Sequence, residues 1–143
     1  MKDFSNSLKQ SIYTLMGQTS TINSQTVTNY VTPPRSPVDY YTWVDLIGYT
    51  DEGTKDKFIG DVRLDIVCVT KVNGAVPDSE LLGLIGNDAL TKLVSKGDGI
   101  ADPTNTFEFF SVVLNDLIED KEIVGNKTML YKRLRLTIKC QEL

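Results

Sequence analysis

The most informative absence in this 143-residue sequence is histidine, which does not occur at all. The chain therefore has no Ser-His-Asp or Cys-His catalytic unit and no histidine-ligated zinc, and it lacks the commonest general acid–base side chain. Only two cysteines are present, Cys68 and Cys140, and both lie in strand-like apolar runs. Two thiols are too few for a tetrahedral zinc site, so we expect both to be buried and free.

Long apolar runs are also missing. No stretch approaches the ~18–20 apolar residues that cross a bilayer, and the N-terminus lacks the apolar centre of a signal peptide. We expect no membrane association, and a protein that stays in a cytoplasm or in a particle assembled there. The formal net charge of −4 gives no general attraction for nucleic acid, which would need a local basic patch.

The composition is otherwise that of an ordinary globular protein, with 41% apolar and 24% charged residues. The length fits one domain spanning residues 1–143. Within it, the polar and proline-rich segment 18–39 predicts a loop or arm. We expect a loop that becomes a strand near residues 26–31, followed by an extended arm in which prolines fix the backbone.

The spacing of apolar residues predicts two helices, over residues 3–16 and 78–96. Alternating apolar residues predict two hairpins, one from residues 40–50 and 57–71 and one from residues 106–120 and 127–143. These elements indicate an α+β fold, a mostly antiparallel sheet of about four to five strands with both helices packed on one face. The alternation also predicts these core residues: Val62, Leu64, Ile66, Leu134, Leu136 and Ile138.

The densest group of carboxylates is expected in a solvated turn at the end of the second hairpin. Its members are Asp116, Glu119, Asp120 and Glu122. A glycosidase needs two acids facing each other across a cleft, and a group at a hairpin end does not meet that requirement. An enzyme that uses carboxylates alone is a hypothesis that we do not favour. We predict no enzymatic activity, no catalytic residue, no cofactor and no metal.

A basic stripe on the last strand is the most directed polar feature, and it consists of Arg133, Arg135 and Lys139. It has two interpretations that the sequence does not separate. These side chains pair with acids such as Asp65 on a neighbouring strand, or they contact another subunit. Sequence-specific DNA binding is a much weaker interpretation because the whole chain is acidic.

The order of elements resembles the tail terminator, or tail-completion, proteins of long-tailed bacteriophages. The resemblance covers nearly the whole chain and is one of architecture. It comprises the opening helix, the first long hairpin, the central helix at 78–96 and the closing hairpin with its alternating basic strand. It also includes the proline-rich approach to an aromatic strand, formed by Pro33, Pro34 and Pro37 before Tyr40 and Trp43.

The resemblance implies a homo-oligomer, a hexameric ring that caps the tail tube and stops its polymerisation. Its partners would be the tail tube protein and a neck or head-completion protein, and DNA would pass through the ring without sequence-specific binding. The protein would be located in the virion, in the tail or neck, and assembled in the host cytoplasm. Another head–tail connector or neck ring, or a small non-enzymatic α+β binding module, remains the alternative.

A ring needs contact residues, and the sequence offers Arg35 in the arm and the aromatic strand with Tyr41, Trp43 and Tyr49. Simple alternation places these three aromatic side chains on one face together with Asp45, away from Val44. Exposed aromatic residues and arginine dominate interface energetics. We therefore predict that Arg35, Tyr41 and Trp43, with the basic stripe, contact a second subunit or the tube. A second, minor core beneath the arm is the alternative for the aromatic residues.

Overall fold

The computed structural model describes residues 3–53, 56–73, 79–94 and 99–143, with backbone alone for 72 and 73. This part of the chain contains two helices and six strands. In chain order they are α1 (Ser5–Met16), β1 (Thr19–Ile22), β2 (Gln25–Asn29), β3 (Tyr40–Asp51), β4 (Ile59–Asn73), α2 (Ser79–Val94), β5 (Phe107–Val124) and β6 (Lys127–Glu142).

The six strands form one mixed sheet in the order β1-β2-β3-β4-β6-β5. Every neighbouring pair is antiparallel except β2 and β3, which run parallel. The α+β class and the two hairpins, β3–β4 and β5–β6, agree with the sequence prediction. The sheet has more strands than the predicted four to five because the polar segment before the arm is itself a hairpin.

The β1–β2 hairpin corrects the loop predicted from residue 18, whereas β2 agrees with the strand predicted near residues 26–31. Asn23 and Ser24 form its two-residue turn with φ values of 51° and 64°. Positive φ at both turn positions matches the right-handed twist of the flanking strands, and asparagine tolerates this conformation well. β2 ends at Asn29 and its single buried apolar side chain is Val27. Residues 31–39 then form an irregular connection, which we call the arm.

A buried polar network attaches this hairpin to the rest of the molecule. The amide nitrogen of Asn29 donates to the carbonyl of Gly17 at 2.9 Å, and its oxygen accepts from the Thr42 hydroxyl at 2.7 Å. Lys92 of α2 donates to the Ser20 hydroxyl at 3.0 Å. Because each buried group has a partner, short strands with few apolar residues are held in place.

Both helices pack on the same face of the sheet, as predicted, and α1 is slightly shorter than its predicted range. α1 ends at Met16, and the next residue, Gly17, has a φ of 82°, in the region that favours glycine. α2 begins at Ser79; position 78 and positions 95–96 of the predicted range lie outside the described residues. The main core lies between helices and sheet, and all six predicted core residues are in it with 0% exposure: Val62, Leu64, Ile66, Leu134, Leu136 and Ile138.

Cys68 and Cys140 are both buried and free, as predicted. Burial raises the pKa of each thiol to about 12. A thiol with such a pKa is protonated at neutral pH and a poor nucleophile. Among the helices in the described ranges, neither is long and apolar enough to cross a membrane.

Candidate functional site

The face of the sheet opposite the two helices, here called the open face, carries most of the predicted contact residues. The strand register arranges its side chains in rows that run from β3 across β4 and β6 to β5. The first row is Tyr41, Val69, Tyr131 and Asp120; the second is Trp43, Val67, Arg133 and Ile118; the third is Asp45, Asp65, Arg135 and Asp116. The first two rows are therefore mostly apolar, and the third row is charged.

A minor apolar cluster occupies the first two rows. Tyr41, Val67 and Val69 are buried, with 6% exposure for Tyr41, and the side chains packed against them are Tyr30, Trp43, Met129 and Tyr131. The prediction that Tyr41 is an exposed contact residue is therefore wrong. The reason is that β4 supplies two valines at the level of Tyr41 and Trp43, so the aromatic rings close over them. Trp43 remains partly exposed.

A β-bulge places Tyr49 on the other face from Tyr41 and Trp43, which corrects the predicted common face. The register is continuous to Leu46 and resumes at Gly48, so Ile47 is the extra residue. One extra residue reverses the alternation beyond it. The Tyr49 ring consequently lies on the helix side, 5.3 Å from the ring of Phe4 and 5.5 Å from that of Phe58.

The charged row is organised around Asp65, whose side chain is 0% exposed. Arg135 donates to both Asp65 oxygens, from Nε at 3.0 Å and from Nη2 at 3.1 Å. Arg133 Nη1 bridges Asp65 Oδ2 at 3.3 Å and Asp45 Oδ2 at 3.0 Å. The hydrogen bonds and the charge of Asp65 raise the pKa of Arg135 above its ordinary value. The network connects β3, β4 and β6 across the open face.

The predicted basic stripe is therefore divided by the structure. Arg133 and Arg135 form the cross-strand ion pairs that were one of its two interpretations. Lys139 is exposed and lies between Asp61 of β4 and Ser111 of β5 in the register. Two of the three cations of the stripe are therefore paired with carboxylates, and within the described residues only Lys139 of the stripe forms no ion pair.

The acidic residues of β5 lie within a strand, which corrects their predicted place in a solvated turn. β5 continues to Val124, and the turn is at Gly125, whose φ is 62°. Asp116, Asp120 and Glu122 face the open side, whereas Glu119 faces the helix side opposite Lys132. Because the acids are spread along a strand and divided between faces, they do not converge as a pair of catalytic carboxylates must.

Asp120 and Glu122 mark an exposed, acidic end of β5. In the described part of the chain, neither carboxylate forms an ion pair, but Glu122 accepts a hydrogen bond from the Tyr131 hydroxyl at 3.0 Å. Burial, together with that bond and the charge of Glu122, raises the pKa of Tyr131 to about 12. β5 is also an edge strand: the single described bridge on its outer side joins Ile100 to Phe109, near its start.

Arg35 lies in the arm, where its side chain is exposed. The arm leaves the sheet after Tyr30, whose N–H donates to the Thr42 carbonyl at 2.8 Å. It rejoins the sheet at Asp39, whose carbonyl accepts from Lys71 N–H at 2.8 Å. Its two ends are thus fixed on the β2–β3 side of the sheet, away from β5. The structure does not bring Arg35 together with Arg133, Arg135 or Lys139.

Tyr131 and Met129 belong to this surface but were not predicted. The signal was available, because both residues are in phase with Arg133 and Arg135 along the alternating last strand. Val67 and Val69 are in phase with Asp65 in the same way. The missing information was which strands are neighbours, since the order β4-β6-β5 places residues distant in sequence in one row.

A buried carboxylate, Asp102, organises the loop that precedes β5. It accepts hydrogen bonds from the N–H groups of Thr104, Thr106 and Phe107 at 3.0, 3.1 and 3.0 Å. Burial opposes ionisation of Asp102, but these bonds and the Thr104 hydroxyl outweigh burial and hold its pKa below the ordinary value. The carboxylate therefore has a structural role, fixing the loop that covers the start of the β5 edge.

We expect Asp102→Asn to lower the free energy of unfolding at pH 7 by on the order of 1 kcal/mol, because one charged acceptor becomes a donor facing N–H groups. A depressed folded-state pKa stabilises the protein above the unfolded pKa, and this contribution is lost as the pH falls through the folded value. The difference between wild type and variant should narrow below about pH 4 in urea unfolding. A difference that stays constant on acidification would contradict this role for Asp102.

Among the residues that the structure describes, no group of three or more acidic or cysteine side chains is arranged to hold a metal ion.

Comparison with known proteins gives a fold and no family. No family model and no curated protein matches the chain, whereas 18 chains of solved structures do. One is a chain of the virion of a native gene transfer agent particle, 12% identical, with a TM-score of 0.52. The alignment covers 94% of this chain and 93% of that one, so the two share a fold over nearly their whole length.

Proposed function

We propose that the chain is a structural protein of a virion, and that it acts as a tail terminator. In this role about six copies form a closed ring through head-to-tail contacts. The ring caps the tail tube, ends its polymerisation and offers its outer surface to a neck or head-completion protein. DNA passes through the ring without sequence-specific recognition. The protein is located at the junction of tail and neck.

The observation that carries this proposal is the whole-length fold similarity to a chain of a gene transfer agent virion. At 12% identity the similarity concerns the fold alone. The fold similarity supports the proposal because the order of helices and strands also resembles that of the tail terminator proteins. Both similarities extend over nearly the whole chain. A virion is a particle of assembled proteins, where a small protein works through its surfaces.

The chemistry of the described surface supports a role without catalysis. Two buried carboxylates have structural tasks: Asp65 joins three strands and Asp102 fixes a loop. The acids of β5 do not converge, and both thiols are protonated at neutral pH. These features fit a protein whose function is assembly.

The two lateral ends of the sheet, near β2–β3 and at β5, support head-to-tail association. One side carries the arm with exposed Arg35, and the other carries the acidic edge strand β5. A heterologous contact needs two different, complementary surfaces on each copy, and a closed ring forms when the rotation between copies divides a full turn.

Co-production with the tail tube protein encoded beside its gene tests the proposal. Electron micrographs of negatively stained tubes should show one end closed by a ring of this protein, and tubes should grow longer when it is omitted. Rings that bind a neck component but leave tube ends open would assign it to another head–tail connector. A protein that binds neither and stays monomeric would overturn the proposal in favour of a small binding module.

A further inference from the structure

We infer that the arm of one copy docks on the acidic end of the β5–β6 hairpin of the next copy, with Arg35 paired to Glu122 and Asp120. The inference rests on the proposed function in that it requires more than one copy. It specifies which two surfaces meet, the chemistry that joins them, and therefore the direction of the head-to-tail contact.

Charge complementarity is the first reason. The open side of β5 carries the acids Glu108, Asp116, Asp120 and Glu122, whereas Lys121 alternates to the helix side. The cations of the open face at this end are Lys71 of β4 and Lys127 of β6, and neither forms an ion pair within the described residues. Asp116 contributes to raising the pKa of the neighbouring Arg135. Asp120 and Glu122 lie farther along the strand, exposed and outside the ion pairs of the described residues. A guanidinium binds such carboxylates through several donors.

The free cation on the arm is the second reason. Arg35 is exposed and takes part in no ion pair within the described ranges. In its own copy, three strand spacings, about 14 Å, separate β3, where the arm rejoins the sheet, from β5. In the inferred contact, a second copy placed side by side presents its arm to the β5 edge.

Apolar and backbone features complete the fit. Pro33, Pro34 and Pro37 restrict the arm, so that it loses less conformational entropy on docking than a flexible segment. Proline-rich segments bind between aromatic side chains. Tyr131 and Met129 are partly exposed beside Glu122, and the Tyr131 hydroxyl holds the Glu122 carboxylate in place at 3.0 Å. Val38 of the arm, which is 46% exposed, provides a further apolar contact.

Charge reversal on each side tests the inference. Arg35→Glu and Glu122→Lys should each weaken self-association by about tenfold or more, measured by sedimentation velocity over a concentration series. The double variant should recover most of the association because the pair is restored with reversed signs. Lys57→Glu is the matched control for Arg35→Glu, since it makes the same charge change at an exposed residue near the opposite end of the sheet. It should leave association unchanged.

Melting curves of the variants separate folding from docking, and the exposed positions should leave them unchanged. If the wild type forms rings that neither Arg35→Glu nor Glu122→Lys weakens, the docking mode is wrong and the ring proposal stands. If the single variants weaken association and the double variant does not recover it, the pairing is also wrong. A wild type that stays monomeric at every concentration and on tail tubes overturns both.

Discussion

Leu136→Ala is expected to lower the free energy of unfolding by about 2–5 kcal/mol. The side chain is 0% exposed, and it lies between Leu64 of β4 and Leu114 of β5 in the register, on the face that the helices cover. Truncation removes buried apolar surface and leaves a cavity that neighbouring strands, fixed by hydrogen bonds, cannot fill. Urea unfolding followed by circular dichroism gives the value.

The matched control is Leu117→Ala, the same substitution on the neighbouring strand. Leu117 is 46% exposed, so its truncation removes little buried surface and should cost well under about 1 kcal/mol. If the two variants unfolded at the same urea concentration, the register that places Leu136 in the core would be wrong.

Asp65→Asn is expected to destabilise the fold by about 2–3 kcal/mol, although it preserves the side-chain shape. Both Asp65 oxygens accept hydrogen bonds from arginine at 3.0–3.3 Å. The amide removes the negative charge and turns a donor toward a guanidinium. Because Arg133 and Arg135 are partly exposed, water partly solvates their charges when the charge of Asp65 is removed. We therefore expect a smaller loss of stability than for breaking a fully buried ion pair.

Asp61→Asn on the same strand and face controls for the change of charge. Asp61 is only partly buried and forms no ion pair within the described residues, so the substitution should change stability by less than about 0.5 kcal/mol. Equal stability of Asp65→Asn and wild type would show that the network adds nothing to the fold, and that its arginines are available for a partner.

The core of the fold was predictable because alternation and helical spacing are strong signals where one face is buried. Residues such as Val62 and Ile138 follow a period of two over long strands, and a register shift by one residue would expose them all. The same argument explains why both hairpins and both helices were placed correctly.

The pattern of apolar residues gave wrong predictions where a bulge changes the alternation or where a strand contains few apolar residues. The bulge at Ile47 reverses the alternation of β3, and the available signal for it was Gly48, since an isolated glycine inside a strand often marks a bulge. β1 and β2 contain mostly threonine, serine and asparagine, and their stability comes from the network around Asn29. The strand near residues 26–31 was predicted, and Asn23 and Ser24 at the turn were the available signal for β1.

The candidate contact surface was predictable only in part, since rows of side chains depend on strand order. Alternation placed Arg133 and Arg135 on one face, but their pairing with Asp65 requires β4 and β6 to be neighbours. Tyr41 was predicted to be exposed because alternation alone does not show that valines of β4 lie opposite it. That Trp43, Lys139 and Arg35 contact another subunit stays a prediction.

The mass of the assembled protein tests the central claim, that this chain works as a ring, most directly. Light scattering coupled to size-exclusion chromatography, with negatively stained micrographs of the same fractions, should give a closed ring of about six 15.9 kDa copies in solution or on tail tubes. If the mass at every concentration is that of a single chain and no rings are seen on tail tubes, the claim is contradicted.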